Sequence, residues 1–129
     1  MSEHWCLATY NLESLDMRAS APRELEARIE ALKPVLCALN ADVICLQEVN
    51  AQGHGRSGPR TFRALDQLLY GMPYADYHRA SSVNPRTGRP ADVHNLVTLS
   101  RWPIRQQRQL HHDHVPAWRM PSIDPSGPA

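Results

Sequence analysis

Apolar and polar positions along this chain follow two rhythms, and each change of rhythm marks an element. Trp5 to Asn11, WCLATYN, is a short apolar run rich in strand formers that ends on an amide. From Pro22 the spacing changes. Leu25, Ile29, Leu32, Leu36 and Leu39 recur at steps of four, three, four and three, one face of a helix over Pro22–Leu39. Ser20 is placed to cap it, Pro22 suits its first turn, and Asn40 suits a left-handed close. Pro34 removes a backbone bond inside this helix, which predicts a kink or a split. Then Val43, Ile44, Cys45 and Leu46 run straight into Gln47 and Glu48, a buried strand that leaves the core at a carboxylate.

Further on, Asn50–Arg60 reads as a loop, rich in glycine and polar residues. Thr61–Tyr70 reads as a second helix with Phe62, Leu65, Leu68 and Leu69 inward and Gly71 as its stop. Tyr74–His78 is expected to be a strand and Arg79–Asp92 a polar loop. Val93–Ser100 is expected to be a strand, with Ile104–Leu110 as a candidate partner. From Val115 the chain has four prolines in fifteen residues and no periodicity, which reads as a frayed tail.

The order strand, helix, strand fits two parallel neighbours joined by a crossover. Both strands then end on the same edge of the sheet, where open α/β sheets bind ligands. Asn11 ends the first and Glu48 the second, so an amide and a carboxylate converge. A carboxylate with water in the other positions suits Mg²⁺, which is often held by one or two protein carboxylates plus substrate phosphates. The plainer alternative is that Glu48 merely ends a strand and Asn11 begins a turn.

Composition narrows the setting. The chain has 129 residues, 42% apolar and 21% charged, as expected of one globular domain. A formal charge of +1 excludes a global field that gathers nucleic acid. Of its 14 basic residues only Lys33 is a lysine, and arginine's planar fork suits phosphate. Cys6, Cys37 and Cys45 are odd in number, lack a CxxC spacing and lie in apolar runs, so they are expected to be buried free thiols of a reducing compartment. No signal peptide or membrane span is evident, and a cytoplasmic protein is expected.

Three segments carry a resemblance. ATYNLESL (Ala8–Leu15), ADVICLQEV (Ala41–Val49) and NLVTLSRWPI (Asn95–Ile104) resemble, in order and spacing, the endonuclease/exonuclease/phosphatase superfamily with its deoxyribonuclease-I-like fold. The resemblance implies a four-layer α/β sandwich and Mg²⁺- or Mn²⁺-dependent hydrolysis of phosphate esters, with nucleic acids, nucleotides and lipid or sugar phosphates among the substrates. Carried onto this sequence, it makes Glu48 the principal metal ligand and Asn11 a residue that orients the phosphate or a catalytic partner. Glu13 stands where some members place an acidic residue near the metal.

The departures are as informative. The family's catalytic histidine, Asp-x-Asn pair and closing Asp-His pair belong to the second half of its fold; no Asp-x-Asn occurs here, and Asp113-His114 stands too early in the order. The resemblance therefore implies a truncated α/β sandwich, with residues 1–118 as an N-terminal half and 119–129 as a disordered Pro-rich tail. Such a chain is expected to be weak or inactive alone, and a complementary second half or self-association would cover its open sheet face. Two other readings stay open: a non-catalytic fragment or split-enzyme half, and a metal-binding module built on His111, His112 and His114. The Arg-bearing loops GHGRSGPR and NPRTGRPAD match no phosphate loop and read as solvated. His94 and Arg101, flanking a strand, read as structural.

Overall fold

The computed structural model describes residues 3–53, 58–111 and 113–119. Its elements are β1 (Leu7–Leu15), α1 (Pro22–Leu39), β2 (Val43–Val49), α2 (Arg63–Leu69), β3 (His78–Ser81) and β4 (Asn95–Ser100), with a single 3-10 turn at Pro73–Asp76. The four strands form one sheet in the order β1-β2-β4-β3. β1 and β2 are parallel, with Leu7 opposite Val43 and Asn11 opposite Gln47. β4 is antiparallel to both of its neighbours. The crossover expected from the first three elements is therefore present.

Alternation within the strands decides which sheet face is covered. Leu12, Leu15, Ile44, Leu46, Val49, Val97 and Leu99 are all buried, in one cluster with Leu25 and Leu36 of α1 and Leu65, Leu68 and Leu69 of α2. The other face carries Leu7 and Leu96, 59% and 57% exposed. One apolar face is thus packed by helices and the opposite one is open, the arrangement of an α/β layer whose second side has no mate among the described residues.

α1 begins and ends where the leucine stripe predicts. Asn40 closes it in the left-handed region at φ 42°, its N–H donating to Cys37 O. Ser20 does not cap it; Ala21 holds that position without a side-chain bond. The helix also runs unbroken through Pro34. Pro34 is exposed, as is Glu30 one turn earlier, so the carbonyl that loses its donor can turn to water.

Four further expectations change. Tyr74–His78 is not a strand: Pro73 starts a 3-10 turn, and the strand begins only at His78. The turn seats Tyr74, 3% exposed, so that its hydroxyl accepts from Ala41 N–H at 2.9 Å and donates to Leu36 O at 2.8 Å. Leu36 O lies in the last turn of α1, where carbonyls have no partner within the helix. Tyr74→Phe strands both backbone groups, and a loss of about 1–3 kcal/mol is expected in urea unfolding. Ile104–Leu110 is no strand either. Gln107 donates to Ser81 O, and Gln109 both donates to Val83 O and accepts from Val83 N–H, so side-chain amides stand along β3 in place of backbone.

The first strand runs on past Asn11 to Leu15. The thiols are free but not buried: Cys6 and Cys37 are exposed and Cys45 partly so. Cys6 precedes β1, Cys37 follows the inward Leu36 on the outer side of α1, and Cys45 alternates with Ile44 and Leu46 onto the open face.

Candidate functional site

Both parallel strands break their own alternation at the same edge. In β2, Ile44 and Leu46 are buried and regular pleating would bury Glu48 next. Instead Glu48 takes φ 55°, the pairing with β4 shifts register between Leu46 and Val49, and Val49 becomes the buried residue. An extra residue has been let into the strand, and its effect is to turn Glu48 out of the core. β1 does the same. Leu12 and Leu15 are both 0% exposed, and the two residues between them, Glu13 and Ser14, have φ 49° and 55°. The register between β1 and β2 shifts over this stretch, from Asn11 to Leu15.

A fourth left-handed residue lies alongside. His94, φ 58°, precedes β4, whose first residue Asn95 pairs with Val49. Glu13, Ser14, Glu48 and His94 therefore sit together at the carboxyl ends of β1 and β2 and the start of β4. Such backbone costs of order 1 kcal/mol or more per non-glycine residue and persists only where its surroundings enforce it.

The enforcement is visible. Arg28 of α1 donates from Nη1 to Glu13 O at 3.0 Å and from Nη2 to Leu12 O, pinning the turn of β1 from behind. Asn11 Oδ1 accepts from Glu13 N–H at 2.7 Å, closing the same turn from the front. Beneath β2 lies a polar network. Asn50 and Gln52, 3% and 7% exposed, donate from their side-chain amides to the two oxygens of Asp16, each at 3.0 Å. Asn50 Oδ1 accepts from His94 N–H, and Gln52 Oε1 accepts from Ala64 N–H at the start of α2. Asn95, 1% exposed, donates to Val49 O and Ala91 O and accepts from Ala91 N–H. Burial opposes the charge on Asp16, but the bonds from Asn50, Gln52 and Met17 N–H, with the charge of Arg18, outweigh it and hold its carboxyl below the ordinary aspartate value.

The candidate residues read from the sequence fall as follows. Asn11 stands opposite Gln47, one residue before the level of Glu48, and is exposed. Glu48 is half-buried, and its carboxylate has no hydrogen bond or ion pair among the described residues. Glu13 is exposed on the turn between them. No group of three His, Cys, Asp or Glu residues is gathered for a metal among the described residues. What the edge offers is two carboxylates, Glu48 and Glu13, with no hydrogen bond or ion pair among the described residues, a set of oxygen donors that fits a hard, largely hydrated cation rather than zinc.

The histidine-rich segment offers less. His114 N–H bonds back to His111 O, and its ring lies 3.6 Å from Asp113; His112 is outside the described residues. Sequence reasoning missed the supporting cast: Asp16, Arg28, Asn50, Gln52 and Asn95. The available signal was polar residues directly after buried strand positions, in LESLD and QEVNAQ.

The model of the Endonuclease/Exonuclease/phosphatase family matches residues 8–126. The chain belongs to that family. No curated protein and no solved structure matches it. Membership in the endonuclease/exonuclease/phosphatase family accords with the observed α/β layer. No helix of the described residues is long and apolar enough to cross a membrane.

Proposed function

We propose that this chain carries part of a phosphoesterase site dependent on Mg²⁺ or Mn²⁺, with Glu48 as the metal ligand, Asn11 orienting the phosphate, and Glu13 at the rim. The observation that carries the reading is the bulge at Glu48. A strand that would bury this carboxylate instead adopts a strained backbone to bring it out, unpaired, at the edge where its parallel neighbour ends. The family's general dependence on divalent metals supports the same assignment.

When bound, the cation would polarise a phosphate oxygen and offset the charge that builds there during hydrolysis. The chain's own part is to hold the ligand carboxylate in place through the bulge and to present the Asn11 amide. The substrate is then a phosphate ester, and three unpaired thiols accord with a reducing, cytoplasmic setting.

Mn²⁺ titration read by electron paramagnetic resonance tests this directly. Wild-type chain is expected to bind Mn²⁺, and Glu48→Gln, which keeps the shape and removes the charge, to lose it at least tenfold. Unchanged Mn²⁺ affinity in Glu48→Gln refutes the assignment. A second reading, that the chain is a split-enzyme half needing a complement, is favoured by the open sheet face with Leu7 and Leu96. It requires metal binding without turnover.

A further inference from the structure

His94 Nε2 lies 3.0 Å from Ser14 Oγ, and this bond has an unusual course. β1 and β4 lie on opposite sides of β2, so a bond from Ser14 to His94 must pass over β2. It crosses near Glu48 and Val49, because Leu15 and Asn95, the residues that follow Ser14 and His94, both pair with Val49. Leu15, Val49 and Asn95 point into the core at 0%, 0% and 1% exposure, whereas Ser14 and His94 do not. The bridge therefore lies on the side away from the core, the side to which the bulge turns Glu48. Adjacent strands are about 4.8 Å apart, so the ring comes within about one strand spacing of the backbone carrying the proposed ligand.

The bond is not needed to join the strands. The ladder through Val49 joins them already, and His94 N–H is held separately by Asn50 Oδ1 at 2.9 Å. With Nε2 on Ser14, Nδ1 has no partner among the described residues, and the side chain is exposed. A serine hydroxyl both donates and accepts, so it holds the ring in either tautomer and leaves Nδ1 able to take or give a proton.

Resting on the phosphoesterase reading, we infer that His94 is the proton-exchanging group of the hydrolysis, acting through Nδ1 with Ser14 orienting the ring. A water oxygen forms its bond to phosphorus and passes its proton to Nδ1. The ester P–O bond breaks with its electron pair on the departing oxygen, which takes a proton from solvent, and the imidazolium returns its proton to solvent. Water and ester become alcohol and phosphate, and the ring is restored.

The test uses the full chain with Mg²⁺ and inorganic phosphate, following the imidazole nitrogens of His94 by NMR. The His94 resonances are expected to move when both are added and to stay still in Glu48→Gln. In His94→Gly, whose backbone suits the left-handed region, Mg²⁺-dependent cleavage of bis(p-nitrophenyl) phosphate is expected to fall about 100-fold or more and to recover in part with free imidazole. If Mg²⁺ and phosphate bind through Glu48 while the His94 ring stays undisturbed, or if His94→Gly cleaves at the wild-type rate, the inference fails and the phosphoesterase reading stands. If Glu48→Gln leaves Mg²⁺ affinity unchanged, both fail. Where wild-type turnover is too slow to measure, the ring shift alone decides.

Discussion

Glu48→Gly is expected to abolish the proposed metal binding while leaving the fold intact and raising its stability by up to about 1 kcal/mol. The two effects share one cause. Glu48 holds φ 55°, a region that costs an L residue of order 1–2 kcal/mol and costs glycine nothing. Glycine gives back about 0.5–1 kcal/mol through the extra freedom of the unfolded chain, so the balance is small and favourable. The side chain contributes no hydrogen bond or ion pair among the described residues, so nothing else is lost from the fold. Mn²⁺ affinity should fall at least tenfold, because the carboxylate proposed as the ligand is gone.

Urea midpoints and Mn²⁺ titrations on the same preparations check both halves. Glu48→Ala sharpens the comparison: it removes the carboxylate but keeps the left-handed strain, so it should lose metal binding without gaining stability. A Glu48→Gly chain that unfolds more easily than wild type would mean the bulge is upheld by the side chain rather than imposed on it.

The elements most legible in the sequence are those whose side chains answer to one partner surface. The leucine stripe of α1 gives its bounds, Pro22–Leu39, because each leucine meets the same sheet face. The run from Val43 gives β2 for the same reason. What the pattern does not reveal is where a strand departs from its own pleat. Alternation assigns Glu48 to the core face, and only the register shift against β4 and the burial of Val49 show that an extra residue intervenes. Tyr74–His78 fails differently: its aromatic residues suit a strand, but the Tyr74 hydroxyl is needed at Ala41 and Leu36, and a 3-10 turn delivers it there. The thiols were misjudged because an apolar run says that some of its residues are inside, not which ones. Glu48 was visible at the close of its strand, whereas Asn11, read as a strand end, lies inside β1, which runs on to Leu15; Arg28, which holds the β1 turn, reads in sequence as an ordinary helix arginine.

Asp16→Ala is expected to cost about 2–4 kcal/mol, because it leaves two buried amide donors without an acceptor. Asn50 Nδ2 and Gln52 Nε2 both end on this carboxylate, from residues 3% and 7% exposed. The loss should not stay local. Gln52 also accepts from Ala64 N–H and Asn50 from His94 N–H, so the start of α2 and the entry to β4 are anchored through the same group. The pH dependence follows from its lowered pKa. Burial works against the charged form, but the hydrogen bonds from Asn50 and Gln52 prevail, so the folded chain binds this proton less readily than the unfolded chain. Its contribution is therefore complete above the ordinary aspartate value of 3.8 and is lost as pH falls through that value and below, towards the folded-state pKa. Urea midpoints taken from about pH 6 down to about pH 2 should fall more steeply for wild type than for Asp16→Asn, which cannot titrate there. Asp16→Asn should itself be less stable than wild type at neutral pH, since one of its amide hydrogens must face a donor. Equal slopes in the two chains would show that Asp16 is not held as an anion, and with it the proposed anchoring of the strand edge behind Glu48 would fail.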